Sequence, residues 1–438
     1  MSQTYVLRGV RPLGGEPVDL TMADGVVRAI DAVGAALTDD SVVLDYTDFI
    51  VLPGLVDLHT HLREPGHEEA ETVRTGSQAA ALGGFTAVHA MANTEPVADT
   101  AGVVEQVWRL GREAGYVDVI PVGAVTIGLK GERLAELGAM ADSAPRVRVF
   151  SDDGKCVHDA LLMRRALEYV KAFDGVISQH AQEPRLTEDA QMNESELSGV
   201  LGLKGWPAAA EESIVARDVL LADHVGGRVH IAHVSTAGTV DIVRWAKARG
   251  IDVTAEVTPH HLALTEAEAA TYNPVFKVNP PLRGEADRAA VRAALADGTI
   301  DAVATDHAPH PSEAKDVEWQ AAAFGMTGLE TALSVVVDTM VNQGRLDWPG
   351  VAERMSIAPA RIGRLADHGR PIAVGEPANL VVIDPKATRI VHAQSSASRS
   401  RNTPFADREL PARVVATFLR GRPTVLDGAL VSATGVDA

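Results

Sequence analysis

Hydrophobic and polar positions fall into two textures along the chain. From residue 1 to about 50 the apolar residues come in short β-type runs, Tyr5-Val6-Leu7, Val18-Asp19-Leu20, Val26 to Ile30 and Val42 to Asp45, separated by Gly, Pro and Asp turns. The far end reads alike, with Ala378 to Pro385, Val414 to Leu419 and Gly421 to Leu426. Between about 51 and 365 apolar strands alternate with Ala-rich helical stretches, the pattern of repeated βα units on a parallel sheet. Eight strands are predicted: Leu55 to His59, Thr86 to Met91, Val117 to Val122, Arg146 to Phe150, Val176 to His180, Val229 to Val234, Asp252 to Val257 and Ala302 to Thr305. Helices are predicted over Glu68 to Leu82, Val157 to Phe173, Ala208 to Leu221 and Gly238 to Ala248. Eight βα units predict an α/β fold, a TIM-type (β/α)8 barrel. The two β-rich ends predict one small β-sandwich domain built from both termini. The expected boundaries are 1–52 and 369–438 for the small domain and 53–368 for the barrel. An open doubly wound sheet is the competing architecture, but no Gly-x-Gly-x-x-Gly follows the first strand.

The predicted strand ends carry the chemistry. The first closes on His59-Thr60-His61, and residues two apart on a strand point the same way, so both imidazoles can serve one metal ion, with Arg63 just beyond. Strand four ends in Ser151-Asp152-Asp153, strand five in His180, strand six in His233 and strand eight in Asp306-His307. Barrel active sites lie at the C-terminal strand ends, so these side chains would converge on one mouth. Singly, each has a plainer explanation: a histidine hydrogen-bonded in the core, or an aspartate capping the next helix. Four histidines at one mouth would be a poor structural choice without a cation among them. Imidazole and carboxylate donors suit Zn²⁺ or a similar divalent ion. On an extended strand four, Asp153 shares a side with Val147, Val149 and Ser151, and Asp152 shares one with Arg146 and Arg148. Burying an unpaired arginine is costly, so Asp153 is the expected inward ligand and Asp152 orients the turn or a neighbour.

Composition narrows the function. The 438 residues are 46% hydrophobic and 23% charged, ordinary values for a globular protein. Acidic residues outnumber basic ones 59 to 40, a net charge of −19, which disfavours a nucleic-acid partner. The opening residues lack a charged stretch followed by an apolar run, and no uncharged span is long enough to cross a bilayer, so a cytoplasmic location without a membrane partner is expected. The single cysteine, Cys156, leaves no intrachain disulfide and no Cys-based zinc site.

Taken together, His59-x-His61-x-Arg63, Met91-Ala92-Asn93-Thr94, Ser151-Asp152-Asp153-Gly154, His180, His233, Lys277 to Arg283 and Asp306-His307-Ala308-Pro309-His310 resemble the amidohydrolase superfamily. Within it the chain is most similar, over essentially its whole length, to the class I bacterial dihydroorotases. The resemblance implies two Zn²⁺ per subunit, with His59 and His61 on one ion, His180 and His233 on the other, Asp153 bridging and Asp306 beside the first. It implies reversible cyclisation of N-carbamoyl-L-aspartate to L-dihydroorotate in pyrimidine biosynthesis, with Asp306 as the catalytic proton shuttle. Arg63, Asn93, Asn279, His310, Phe324 and Gly325 are the implied substrate contacts. The alternatives are another cyclic amidohydrolase of the dihydropyrimidinase, hydantoinase or allantoinase type, or a non-catalytic partner of aspartate transcarbamoylase. A homodimer and association with aspartate transcarbamoylase also come into consideration. Two departures stand out: Ala92 replaces the usual Pro before Asn93, and Gln182 follows His180 at a variable position. The stretch Pro311 to Phe324 lacks an apolar period and is a candidate mobile loop over the site.

Overall fold

The computed structural model describes residues 3–34 and 41–432. The N-terminal runs form strands β1 (Thr4–Pro12), β2 (Val18–Ala23), β3 (Val26–Ala32), β4 (Ser41–Asp45) and β5 (Ile50–Pro53).

The middle of the chain then supplies parallel strands β6 (Leu55–Thr60), β7 (Phe85–Ala90), β8 (Asp118–Pro121), β9 (Val149–Phe150) and β10 (Val176–Gln179). A two-residue pair, β11 (Met192–Asn193) and β12 (Gly205–Trp206), lies apart, and β13 (Val229–Ile231), β14 (Val253–Val257) and β15 (Ala302–Val303) complete the parallel set. Two sheets result, β6-β7-β8 and β15-β14-β13-β10-β9. Parallel bridges join them at both edges, Gly123 to Phe150 and Thr60 to His307. All eight predicted strands are present, several of them shorter. Strand four shrinks to β9 because Arg146 takes a left-handed φ of 50° and Arg148 turns its guanidinium to the carbonyls of Ala141 and Val147.

Helices fill the intervals: α1 (Val73–Leu82), α2 (Ala101–Ala114), then Ala160–Val170, Ala209–Val225, Ala237–Ala248 and Glu285–Asp297. α1 starts five residues later than Glu68. Thr72 caps it reciprocally with Thr75, and the buried Glu71 is spent on His307, Ser398 and Arg399. Gly84, between α1 and β7, has a φ of +88°, and a Cβ there would meet Val381 at 2.7 Å. Among the described residues no helix is long and apolar enough to cross a membrane.

The C-terminal runs form β16 (Leu380–Ile390), β17 (Glu409–Leu419), β18 (Arg422–Leu426) and β19 (Ala429–Leu430). The two ends of the chain meet where β16 runs antiparallel to β5, from Leu380 opposite Pro53 to Ile383 opposite Ile50. The described residues thereby make one nine-stranded sheet, ordered β19-β18-β17-β16-β5-β1-β2-β3 with β4 against β1. Alternation along these strands serves two cores. Val51, Leu380, Val382 and Phe418 pack with Leu7, Leu20 and Met22, while Ile50, Leu52, Val381 and Ile383 face the core of the βα region.

Phe418 is fully buried in the core shared by both termini. Phe418→Ala is expected to cost about 3–5 kcal/mol, read as a lower urea midpoint. An unchanged midpoint would show that the shared core contributes little to stability.

Candidate active site

The predicted ligands follow the C-terminal ends of the parallel strands and converge. His59 closes β6, with its Nε2 3.2 Å from Asp153 Oδ1 and 3.6 Å from Asp306 Oδ1. His61 Nε2 is 3.1 Å from Asp306 Oδ1 and 3.3 Å from Asp153 Oδ2. His180 Nδ1 and His233 Nε2 are 2.8 Å apart and lie 3.2 and 3.4 Å from Asp153 Oδ1. The donor atoms form two triads that could each hold an ion, His59-His61-Asp153 and Asp153-His180-His233. Asp153 reaches this place from a turn after β9 rather than from within an extended strand. Asp152 turns away and accepts the backbone N–H groups of Val125 and Thr126, orienting that neighbouring loop.

The donor set fits a cation. Three of the imidazoles spend their second ring nitrogen on an oxygen acceptor: His59 Nδ1 on Glu256 Oε1 at 3.0 Å, His61 Nδ1 on Asn93 Oδ1 at 2.9 Å and His180 Nε2 on Gln182 Oε1 at 2.7 Å. The other nitrogen of each faces Asp153, the arrangement typical of metal-binding histidines. Among the described residues His59 Nε2 is buried without a hydrogen-bond partner of its own. Burial alone would raise the Asp153 carboxyl, but the surrounding imidazoles outweigh it and hold it far below the ordinary carboxylate range. At Asp306, too, burial is outweighed, chiefly by the His61 hydrogen bond and His59, and the group is a carboxylate. His233, Asp306 and Arg63 all adopt positive φ, of 32°, 45° and 63°, a clustering of backbone strain at the site.

Several site residues had no strong signal in the sequence. Glu256, on β14, also accepts from His230 Nε2 at 3.0 Å. Burial would raise its carboxyl, but His230 and His59 bring it down to about 2. Asp57 accepts the N–H groups of His59 and Thr305, tying β6 to the segment that carries Asp306. His260 is buried with an unpartnered Nε2, and burial lowers it to about 4. A charged residue inside the apolar strand Asp252 to Val257 was the available clue to Glu256. Asp57 and His260 resemble any buried polar residue.

The implied substrate contacts lie beside the cluster. Arg63 donates from Nε to Pro309 O at 3.1 Å, and among the described residues it has no carboxylate partner. The adjacent Glu64 is engaged with the N–H of Val73. His310 Nε2 donates to Phe324 O at 2.7 Å, and burial together with the Arg63 charge lowers its pKa to about 3, so the ring is neutral with Nδ1 free to accept. Gly325 permits this approach, since a Cβ would stand 2.7 Å from Ala308 Cβ and 2.9 Å from His310 Nε2, at a φ of +139°. Asn279 donates to Gln182 Oε1 at 3.2 Å, and its Oδ1 is buried without a partner among the described residues. Gln182 thus links His180 to Asn279.

The stretch 311–324 is packed rather than structureless. It contains a short helix, Ser312–Lys315, and a buried Trp319. Lys277 Nζ donates to Trp319 O and Gln320 O at 2.8 and 3.1 Å, and Lys315 Nζ to Ala323 O and Lys277 O at 2.8 and 3.2 Å. Burial lowers Lys277 to about 8. Burial and the Lys277 charge lower Lys315 to about 7.

The fold is shared with solved cyclic amidohydrolases. Over 99% of this chain and 98% of its own, the L-hydantoinase from Arthrobacter aurescens superposes with a TM-score of 0.87 at 24% identity. The dihydropyrimidinase from Brevibacillus agri superposes with a TM-score of 0.83 at 20% identity, over 99% of this chain and 97% of its own. At such identity these likenesses concern the fold alone. The Dihydro-orotase-like family model matches residues 49–239. The dihydroorotase of Streptomyces coelicolor is 67% identical over 431 residues, 98% of this chain and 100% of the relative, and that of Mycobacterium tuberculosis is 58% identical over 97% and 99%. The chain belongs to the dihydroorotase family.

Two outcomes follow from this geometry. Glu256→Gln keeps volume but removes the charge behind His59, and metal affinity measured by chelator competition is expected to fall about 10–100-fold; an unaltered affinity would remove Glu256 from the centre's support. An opened 311–324 segment would return both lysines to the ordinary value near 10.5. Between roughly pH 7 and 10 the open form therefore holds more protons, and closure strengthens as pH rises and weakens as it falls towards 7. Hydrogen exchange of 311–324, corrected for intrinsic rate, should slow from pH 7 to 9 in the native protein and show a weaker dependence in Lys315→Met, where only Lys277 still titrates; a pH-independent native protein would contradict it.

Proposed function

We propose that this chain catalyses the reversible ring closure of N-carbamoyl-L-aspartate to L-dihydroorotate, the dihydroorotase reaction of pyrimidine biosynthesis. The observation that carries this reading is the near end-to-end identity with dihydroorotases, 67% over 431 residues. An arginine that lacks an acidic partner among the described residues, beside the candidate metal centre, supports it locally, because the ring of dihydroorotate bears a carboxylate.

The architecture that goes with it is a (β/α)8 barrel over 53–368, with a small β-sandwich from 1–52 and 369–438. Bridges at both edges of the parallel sheets support the first, and the apolar cluster drawn from both termini supports the second. His59, His61 and Asp306 would hold one Zn²⁺, His180 and His233 a second, and Asp153 both. When bound, the ions polarise the ring carbonyl and lower the pKa of water towards roughly 7.

The side chains do the rest. Arg63 presents a planar fork to the substrate carboxylate. His310, held neutral with its Nε2–H on Phe324 O, offers Nδ1 as an acceptor beside it. Asn279 Oδ1 accepts a ring N–H. Asn93 fixes His61 through Oδ1 and keeps its Nδ2 for the substrate. Asp306, a carboxylate in the resting site, takes the proton of the attacking water and delivers it to the departing ring nitrogen, and the roles reverse in synthesis.

One experiment tests the assignment: metal analysis coupled to turnover of dihydroorotate, dihydrouracil, hydantoin and allantoin. Dihydroorotate is the expected substrate, and activity confined to the other three would sink the reading. Asp153→Ala should lose metal. Asp306→Asn should keep metal while its rate falls about 10²- to 10⁴-fold, and normal activity in that variant would refute proton transfer by Asp306.

A further inference from the structure

A second cleft opens at the other end of the parallel strands. Asp118, on its floor, begins β8, whereas the candidate metal centre lies beyond the strands' C-terminal ends. The cleft has a volume of about 660 Å³ and runs between α2, the segment 364–368 and the turn from β17 to β18. That size is typical of a small-molecule site, which runs to roughly 300–1,000 Å³.

Its chemistry runs against the rest of the chain. In a protein of net charge −19, the cleft gathers four guanidiniums, Arg112, Arg364, Arg420 and Arg422, against two carboxylates, Asp118 and Asp367. One carboxylate is committed. Asp118 is paired with Arg420 and accepts from His368 Nε2 at 2.8 Å. Arg364 reaches out to Asp174 at 2.9 Å, an acid that Arg228 also holds. Among the described residues Arg422 has only a carbonyl partner, Gly115 O, and burial together with the Arg420 charge lowers its pKa below the ordinary arginine value. Among the described residues Arg112 has no hydrogen bond or ion pair; its guanidinium lies over the Trp108 ring at 4.9 Å.

The floor is built rather than adventitious. His368 Nδ1 is 3.1 Å from Thr86 Oγ1, and Asn379 joins Arg420 N and Asp367 O at 2.7 and 2.8 Å. The positions of Arg420 and His368 are thereby fixed without any anion. Trp108, Leu365 and Leu419 add flat and apolar wall beside the guanidiniums. Guanidinium forks match the oxygens of phosphate, and the cleft is far larger than a bare phosphate needs.

We propose that this cleft binds an organic phosphate monoester, its phosphate on the arginines and its flat organic body against the Trp108 side, at a site separate from the metal centre. The test is calorimetric titration of the full, metal-loaded chain with a nucleoside monophosphate, the matching nucleoside and inorganic phosphate. Saturable 1:1 binding of the monophosphate, tighter than either control, is expected, and it should persist in saturating dihydroorotate. Arg112 and Arg364 are exposed, so Arg112→Gln/Arg364→Gln should fold normally, and affinity should fall at least roughly tenfold. Arg249→Gln is the control, because Arg249 lies over Trp245 at 5.1 Å in the same kind of stack but outside the cleft. Displacement by dihydroorotate would place the probe in the metal site and overturn the proposal. Equal binding of inorganic phosphate, an equal loss in the Arg249 variant, or no saturable binding would overturn it too.

Discussion

One buried carboxylate sets the terms for the centre of this molecule. Asp153 stands within 3.4 Å of imidazole nitrogens from His59, His61, His180 and His233, which arrive from three different strands. Four imidazoles and a carboxylate in so small a volume are costly to desolvate, and they are affordable only with a cation or protons among them. The surroundings leave little freedom about which atoms face inwards. Glu256, Asn93 and Gln182 each take the outer nitrogen of one ring, so that ring orientation is fixed before any ion arrives.

That arrangement needs a rigid frame, and the frame comes from alternation along the strands. β5 and β16 lie side by side with one set of side chains in the core of the terminal sheet and the other in the core of the βα region. The first parallel strand leaves β5 after a single residue, Gly54, so the histidine-bearing β6 is anchored directly to the sheet formed by both termini. At the site, His233, Asp306 and Arg63 turn out of extended geometry just beyond the C-terminal ends of the strands. A rigid scaffold can sustain such turns because packing elsewhere over-determines them.

Much of this is legible in the sequence. All eight strands and the shared terminal sheet follow from periodicity, because a strand buried on both faces reads as a short apolar run whatever its neighbours. Asp153 rather than Asp152 faces the imidazoles, and it does so from a turn instead of from a continuing strand. Helix starts were less legible. α1 was expected from Glu68, but Glu71 is drawn into the interior by His307 and Ser398, contacts more than 200 residues away in sequence. The packing of 311–324 was hidden for a similar reason, since it rests on two buried lysines bonded to main-chain carbonyls.

What the sequence determined by itself is therefore the kind of unit and the kind of ligand: strands ending in histidine and aspartate, no thiolate, and an arginine two residues beyond the second histidine. These are local properties, written in spacing and side-chain type. Tertiary structure alone decided which nitrogen of each imidazole faces Asp153, which acid stands behind His59, that Arg63 lacks an acidic partner, and that four arginines from three segments share one cleft at the opposite end of the strands. Each of these depends on side chains distant in sequence meeting at hydrogen-bond or ion-pair range, and no local pattern specifies such a meeting.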